Sequence, residues 1–266
     1  MRIFLSFLLF CIVAYVLLIA WLYFDQRNMM YHPKKDEHSL EYYNLKKTKE
    51  ITLTTTDGVK LQAWYHKPQK NKPMAIFLHG NAGNLGDRAD KLQELIAMGY
   101  GFIIPAWRSF GKSEGTPSLQ GLYFDAEAAI NFARKEGYKI DKIIMIGESL
   151  GTGIATKMAS KYRFKGLFLI TPYTSISDRA KELYPIVMIK KFLKDDFNVI
   201  DNIKSIQQPL LIIHGTADTI IPYQHSENIL EEAQEPKKLI IYPDIGHVNY
   251  NITEVFKQMD NFFKDN

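Results

Sequence analysis

The chain has 266 residues, 46% of them hydrophobic and 23% charged, enough to bury a substantial core, and this composition excludes an extended disordered chain. Its 33 Lys and Arg against 29 Asp and Glu leave a formal charge of +4 without a long basic block, so nothing argues for nucleic acid, while an anionic membrane surface is tolerated. The one cysteine, Cys11, sits inside an apolar run, which excludes an internal disulfide and a thiol nucleophile in the rest of the chain.

Residues 3–24 carry no charge. As a helix rising about 1.5 Å per residue they match a hydrocarbon core about 30 Å thick. The expectation is a retained single-pass transmembrane anchor over residues 1–24. A cleaved signal peptide fits less well, because the run exceeds the usual ~7–15 apolar residues and has no clear small-residue cleavage site. Arg2 and the terminal amine flank one end, and Arg27, Lys34 and Lys35 the other, so charge leaves the side of the following domain open. Residues 25–49 read as a polar, tyrosine-rich juxtamembrane linker, and residues 50–266 as one domain.

That domain starts with a strand at 51–55, a Thr56-Asp57-Gly58 turn and a second strand at 59–66, since Asp-Gly supplies the positive φ that a tight antiparallel turn needs. Short apolar runs follow at 74–79, 100–105, 142–146, 166–170, 209–214 and 238–242, the pattern of buried parallel strands. Helical stretches alternate with them at 87–98, 122–135, 150–161, 223–233 and 253–263, which predicts an α/β fold with a mostly parallel, doubly wound sheet. Residues 171–208 form a long insertion that carries Tyr173, Tyr184, Ile186, Val187, Met188, Ile189, Phe192 and Leu193. It reads as a small lid or as an ordinary packing helix of the domain.

The strongest signal is Gly147-Glu148-Ser149-Leu150-Gly151 between a strand and a helix. A serine forced into that turn adopts strained backbone angles, and Gly147 and Gly151 let neighbouring backbones approach without a β-carbon between them. The hydroxyl projects from the sheet edge, and the Leu150 amide, at a helix start, is placed to stabilise an oxyanion. The overlapping Gly147-x-x-x-Gly151-x-Gly153 is also a dinucleotide-phosphate pattern. That reading wants the motif on the first strand and a Tyr-x-x-x-Lys pair downstream, and neither is present.

A serine hydroxyl needs a histidine to take its proton and a carboxylate to orient that histidine. Asp218 lies just beyond the 209–214 strand and His247 in the exit loop of the next, so Ser149, Asp218 and His247 leave one sheet edge in the order Ser, Asp, His. Asp244 and Asp201 are weaker candidates for the acid. The loop His79-Gly80-Asn81-Ala82-Gly83-Asn84 follows an early strand, and the Asn81 amide is the candidate second oxyanion donor. His32, His38, His66, His214 and His225 show no metal-ligand spacing, and no metal or cofactor is expected.

These motifs, with Arg108-Ser-Phe-Gly-Lys-Ser-Glu-Gly115, His214-Gly-Thr-Ala-Asp218 and Gly246-His247-Val-Asn249, resemble those of membrane-anchored α/β-hydrolase-domain serine hydrolases, a group that includes depalmitoylases, lysophospholipases and uncharacterised bacterial members. The likeness covers roughly residue 51 to the end, plus the anchor. It implies a triad of Ser149, Asp218 and His247 and an oxyanion hole at Asn81 and Leu150. Where that group commonly has Tyr-Arg-Gly-Tyr-Gly, this chain has Trp107-Arg108-Ser109-Phe110-Gly111, with Arg108 read as a loop anchor. The resulting expectation is hydrolysis of a small-molecule or lipid ester or thioester through an acyl-enzyme. A serine peptidase, an acyltransferase and a silent binding or scaffold protein are the alternatives on this fold. Oligomeric state is not legible.

Overall fold

The computed structural model describes residues 1–185 and 192–266, so Ile186, Val187, Met188 and Ile189 of the expected lid lie outside the described residues. Helix α1 (Arg2–Met30) is long and apolar enough to cross a membrane by length and composition. It runs past Phe24, and every residue up to Leu18 is exposed. From Ile19 onward the partly buried residues are Ile19, Ala20, Leu22, Asp25, Gln26, Arg27, Met29 and Met30, while Trp21, Phe24 and Asn28 stay exposed, so one side of the helix turns to the body. The stretch expected as a linker therefore begins as helix and then packs. Tyr31 and Leu45 enter the core, and β1 (His32–Pro33) pairs in parallel with β5 (Ala82–Gly83).

Eight strands make one sheet: β2 (Lys49–Thr54), β3 (Lys60–His66), β4 (Met74–Leu78), β6 (Gly101–Pro105), β7 (Ile143–Glu148), β8 (Gly166–Ile170), β9 (Leu210–Gly215) and β10 (Lys237–Tyr242). Their order is β10-β9-β8-β7-β4-β6-β3-β2. The β2–β3 and β3–β6 pairs are antiparallel and the remaining neighbours parallel, as the Asp-Gly turn followed by strand-helix alternation implies. Strands β4, β6, β7, β8 and β9 are buried at every residue, which requires cover on both faces and explains their unbroken apolar sequences.

That cover comes from α2 (Ala89–Ala97) packed with α8 (Ile252–Asp265), and from α3 (Leu119–Lys135) with α4 (Leu150–Lys161) and α6 (Val199–Ile203). The α8 stripe Val255, Phe256, Met259 and Phe263 is buried at helical spacing. Phe263 fills the space over Gly166, where a Cβ would come within 2.2 Å of its ring. Helix α3 begins at Leu119, ahead of the apolar pattern, because the Ser118 hydroxyl caps it by accepting the Gly121 N–H at 3.1 Å. The 171–208 insertion carries α6 and α5 (Ile176–Leu183), capped by Asn198 and Ser175. Helix α7 (Gln224–Glu232) separates β9 from β10.

Candidate active site

The loops leaving the C-terminal ends of β4, β7, β9 and β10 meet at Ser149. Its backbone sits at φ 50 and ψ −118, a region costly for a residue with a Cβ, on the order of 1–3 kcal/mol. The turn is held there by close approach: a Cβ on Gly151 would lie 2.0 Å from the Leu78 carbonyl oxygen, and one on Gly147 would lie 2.7 Å from Thr152 Cα. The Ser149 N–H donates to the Ile170 carbonyl at 2.9 Å, and its own carbonyl accepts both the Thr152 N–H and hydroxyl. Leu150 opens α4, where the first amides have no partner inside the helix.

His247 Nε2 lies 3.0 Å from Ser149 Oγ, and His247 Nδ1 lies 2.7 Å from Asp218 Oδ2. An ionised carboxylate only accepts, so Nδ1 carries the proton and Nε2 turns its lone pair to the serine hydroxyl. Asp218 is saturated. Its Oδ1 accepts the Ile220 and Ile221 N–H groups, each at 2.9 Å, and its Oδ2 also takes His214 Nε2–H at 3.1 Å. Burial opposes its charge, but the hydrogen bonds from His214, His247 and Ile221 outweigh that and hold the carboxyl well below the usual carboxylate range. Asp244 and Asp201 are elsewhere: the former is exposed with its N–H on Thr216 Oγ1, the latter sits in the first turn of α6.

His214 is a contributor that sequence reasoning set aside. It is fully buried, its Nε2 also reaches the Ile221 carbonyl at 2.8 Å, and Ser226 Oγ meets Nδ1 at 2.6 Å. Its place at the end of β9, four residues before Asp218, was the available signal. His79 has a comparable role in the neighbouring loop. The Trp107 N–H donates to its Nε2 at 3.3 Å, so Nδ1 holds the proton and donates to the Gly80 carbonyl at 2.8 Å. In a trans peptide the N–H opposes the C=O, so this bond turns the Asn81 amide away from the His79 ring. Burial and the nearby Arg88 charge push the His79 imidazole down to about 3, which keeps it neutral.

Arg88 organises the rest of that loop by donating to the Ala82 and Asn84 carbonyls at 2.8 and 3.2 Å. With Lys91, 3.2 Å away, it also faces the buried Glu148; burial opposes that carboxyl's charge, yet the two cations bring it down to about 2. Arg108 anchors its own loop to two carboxylates. It reaches Asp125 through its backbone N–H, Nε and Nη2, and forks onto Asp57 with both Nη atoms. Among the described residues, no three His, Cys, Asp or Glu converge as a metal site.

Beside Ser149, Asn81 and Leu150 lies a cavity of about 350 Å³, walled mainly by apolar side chains of α1, of α5 and of Phe192 and Leu193. The end of α1 is tied to the loop after β4: Asn81 Nδ2 donates to the Met30 carbonyl at 2.7 Å, and the His32 N–H donates to the Asn81 carbonyl at 2.8 Å. The arrangement provides a hydroxyl beside an imidazole base, a fixed carboxylate behind that base, and main-chain donors next to an apolar chamber. That combination can carry acyl transfer.

A family model described as the alpha/beta hydrolase fold matches residues 75–189. An uncharacterised protein of Mycobacterium tuberculosis is 31% identical over 245 residues, covering 89% of this chain and 87% of that one. The lysophosphatidylserine lipase ABHD12 of Danio rerio is 31% identical over 199 residues, 66% of this chain but 51% of the lipase. Among solved structures, the Pyrococcus furiosus esterase Pf2001 superposes with a TM-score of 0.71 at 21% identity, covering 89% of this chain and 97% of the esterase. From the motifs, the sheet topology and these relatives together, the chain belongs to the α/β-hydrolase-fold family.

Proposed function

We propose that this protein is a serine hydrolase that cleaves carboxylic ester or thioester bonds of small-molecule or lipid substrates through an acyl-enzyme. Ser149 attacks the acyl carbon while His247 Nε2 takes the hydroxyl proton, and Asp218 holds the resulting imidazolium. The oxyanion is met by the Asn81 and Leu150 amides. His247 then returns the proton to the leaving alcohol or thiol, and a water activated by the same imidazole releases the acid. The observation that carries this reading is the hydrogen-bonded line from Asp218 Oδ2 through His247 to Ser149 Oγ, with links of 2.7 and 3.0 Å.

We assign residues 1–24 to a membrane anchor and residues 50–266 to the hydrolase domain, with 25–49 fastening one to the other and the described part of the 171–208 insertion lending Tyr173, Ile176, Leu183 and Phe192 to the chamber wall. The test is steady-state hydrolysis of p-nitrophenyl butyrate by the intact protein and by Ser149→Ala. Loss of at least about a thousandfold in kcat is expected for the removal of a nucleophile. Equal turnover by both proteins contradicts the assignment.

A further inference from the structure

Resting on the serine-hydrolase reading, we propose that the membrane-proximal half of α1 is itself the acyl-binding wall of the site, and that the substrate is a lipid ester or thioester whose single acyl chain lies along this helix with its tail toward the bilayer. The helix brings Ile19, Leu22, Tyr23, Gln26, Met29 and Met30 to the cavity that also holds Ser149. These positions fall on one helical face, spaced three and four residues apart. At 1.5 Å per residue they extend about 17 Å, the reach of a medium to long acyl chain.

The two ends of this corridor are unlike. Met30 is tied to Asn81 beside the nucleophile, whereas Ile19 marks the point above which α1 leaves the body and is exposed on every side. Leu183, Phe192 and Ile220 border the same cavity while 55%, 41% and 58% exposed, so apolar surface continues from the helix to the chamber mouth. The cavity's 350 Å³ is near the lower end of small-molecule sites, about 300–1,000 Å³, which suits one chain.

The wall is fixed in place. Arg27 forks onto the buried Asp195 at 2.8 and 3.1 Å, and Asp195 also accepts the Tyr31 hydroxyl and the Leu119 N–H. Gln26 donates to the Phe192 carbonyl and accepts the Lys194 N–H, and the Lys194 ammonium sits 4.2 Å from the centre of the Tyr23 ring. A helix serving only as a tether would need none of these bonds.

The experiment uses the full chain in detergent or phosphatidylcholine vesicles and p-nitrophenyl butyrate, octanoate, laurate and palmitate. Met29→Trp, Leu22→Trp and Ile19→Trp each block the corridor at increasing distance from Ser149. The expected result is an acyl-length cut-off that moves outward in that order, with esters beyond it losing at least about tenfold in kcat/KM relative to butyrate in the same variant. Leu17→Trp, on the opposite face, keeps the wild-type profile. Leu22→Ala, which only removes volume, shifts the palmitate to butyrate ratio by at least about threefold. Fluorophosphonate labelling of Ser149 verifies that each variant is folded. Unchanged length profiles in labelled variants, or one common cut-off for all three blocks, overturn the proposal. Absence of both labelling and butyrate turnover in the wild type instead overturns the serine-hydrolase reading on which it rests.

Discussion

Replacing Asp218 by Asn separates the chemistry of the site from its folding. The carboxylate accepts four N–H groups: two amides on Oδ1, and His247 Nδ1 and His214 Nε2 on Oδ2. An asparagine whose carbonyl stays with the amides turns its NH2 toward two imidazole N–H groups, and the flipped amide meets two backbone donors instead. The less costly response is for His247 to change tautomer and accept at Nδ1. Its proton then sits on Nε2, facing Ser149 Oγ, and the base is lost. His214 keeps the Ile221 carbonyl as a partner, so little of the fold is disturbed.

The expected fall in kcat is about 10³- to 10⁴-fold, or roughly 4–5.5 kcal/mol of transition-state stabilisation at 1.36 kcal/mol per tenfold. The accompanying loss of stability should be about 1 kcal/mol, a decrease of roughly 2–4 °C in Tm for a domain of this size. Ester hydrolysis and differential scanning fluorimetry on the same preparations provide both numbers. A folded variant within about tenfold of wild type would refute the tautomer argument. A Tm loss above about 10 °C would mean that Asp218 acts mainly in folding.

Four further outcomes follow from the geometry. His214→Ala removes one donor from Asp218 and orphans the buried Ser226 hydroxyl, so urea unfolding should show a loss of about 2 kcal/mol and kcat/KM should fall about tenfold. Ser149→Gly and Ser149→Ala should both be inactive, but the glycine variant relaxes φ 50 and should melt about 2–6 °C above the alanine variant. Asp195→Ala leaves the Tyr31 hydroxyl and the Leu119 N–H without their carboxylate while the partly exposed Arg27 can hydrate, so a loss of about 1–3 kcal/mol is expected, with faster proteolysis between α1 and the body.

The fourth outcome concerns pH. His79 is pushed down to about 3 in the folded protein and has an ordinary value of 6.5, so between these values only the unfolded chain binds the proton. Its contribution to stability is complete above pH 6.5 and is lost as pH falls toward 3, at up to roughly 1.4 kcal/mol per unit. Urea midpoints at pH 7.5 and 5 should diverge less in His79→Gln than in wild type; equal divergence contradicts the neutral-histidine brace.

The sheet was legible because its central strands are buried on both faces and therefore read as unbroken apolar runs, and the Asp-Gly turn announced the antiparallel edge. The start of α3 was harder to see, since Ser118 caps a turn whose first residues include Gly121, outside the apolar periodicity. The residues meeting at Ser149 were legible for a topological reason: loops after parallel strands share one edge, so motif order along the chain maps onto proximity. His214 was not, because a histidine at a strand end looks the same in sequence whether it faces a carboxylate or solvent. Least legible was the seating of α1 on the body. A uniformly apolar helix gives no periodic signal for the face that packs on protein, and the ties that seat it, Arg27 to Asp195 and Met30 to Asn81, join residues far apart in the chain.

The most direct test of the account is intact-mass and peptide mass spectrometry after exposure of the full-length protein to a fluorophosphonate. A single adduct on Ser149, absent from Ser149→Ala and strongly slowed in His247→Ala, is the result expected of a hydroxyl activated by that imidazole. An unmodified wild-type protein, or labelling at Ser149 that is as fast without His247 as with it, would contradict it.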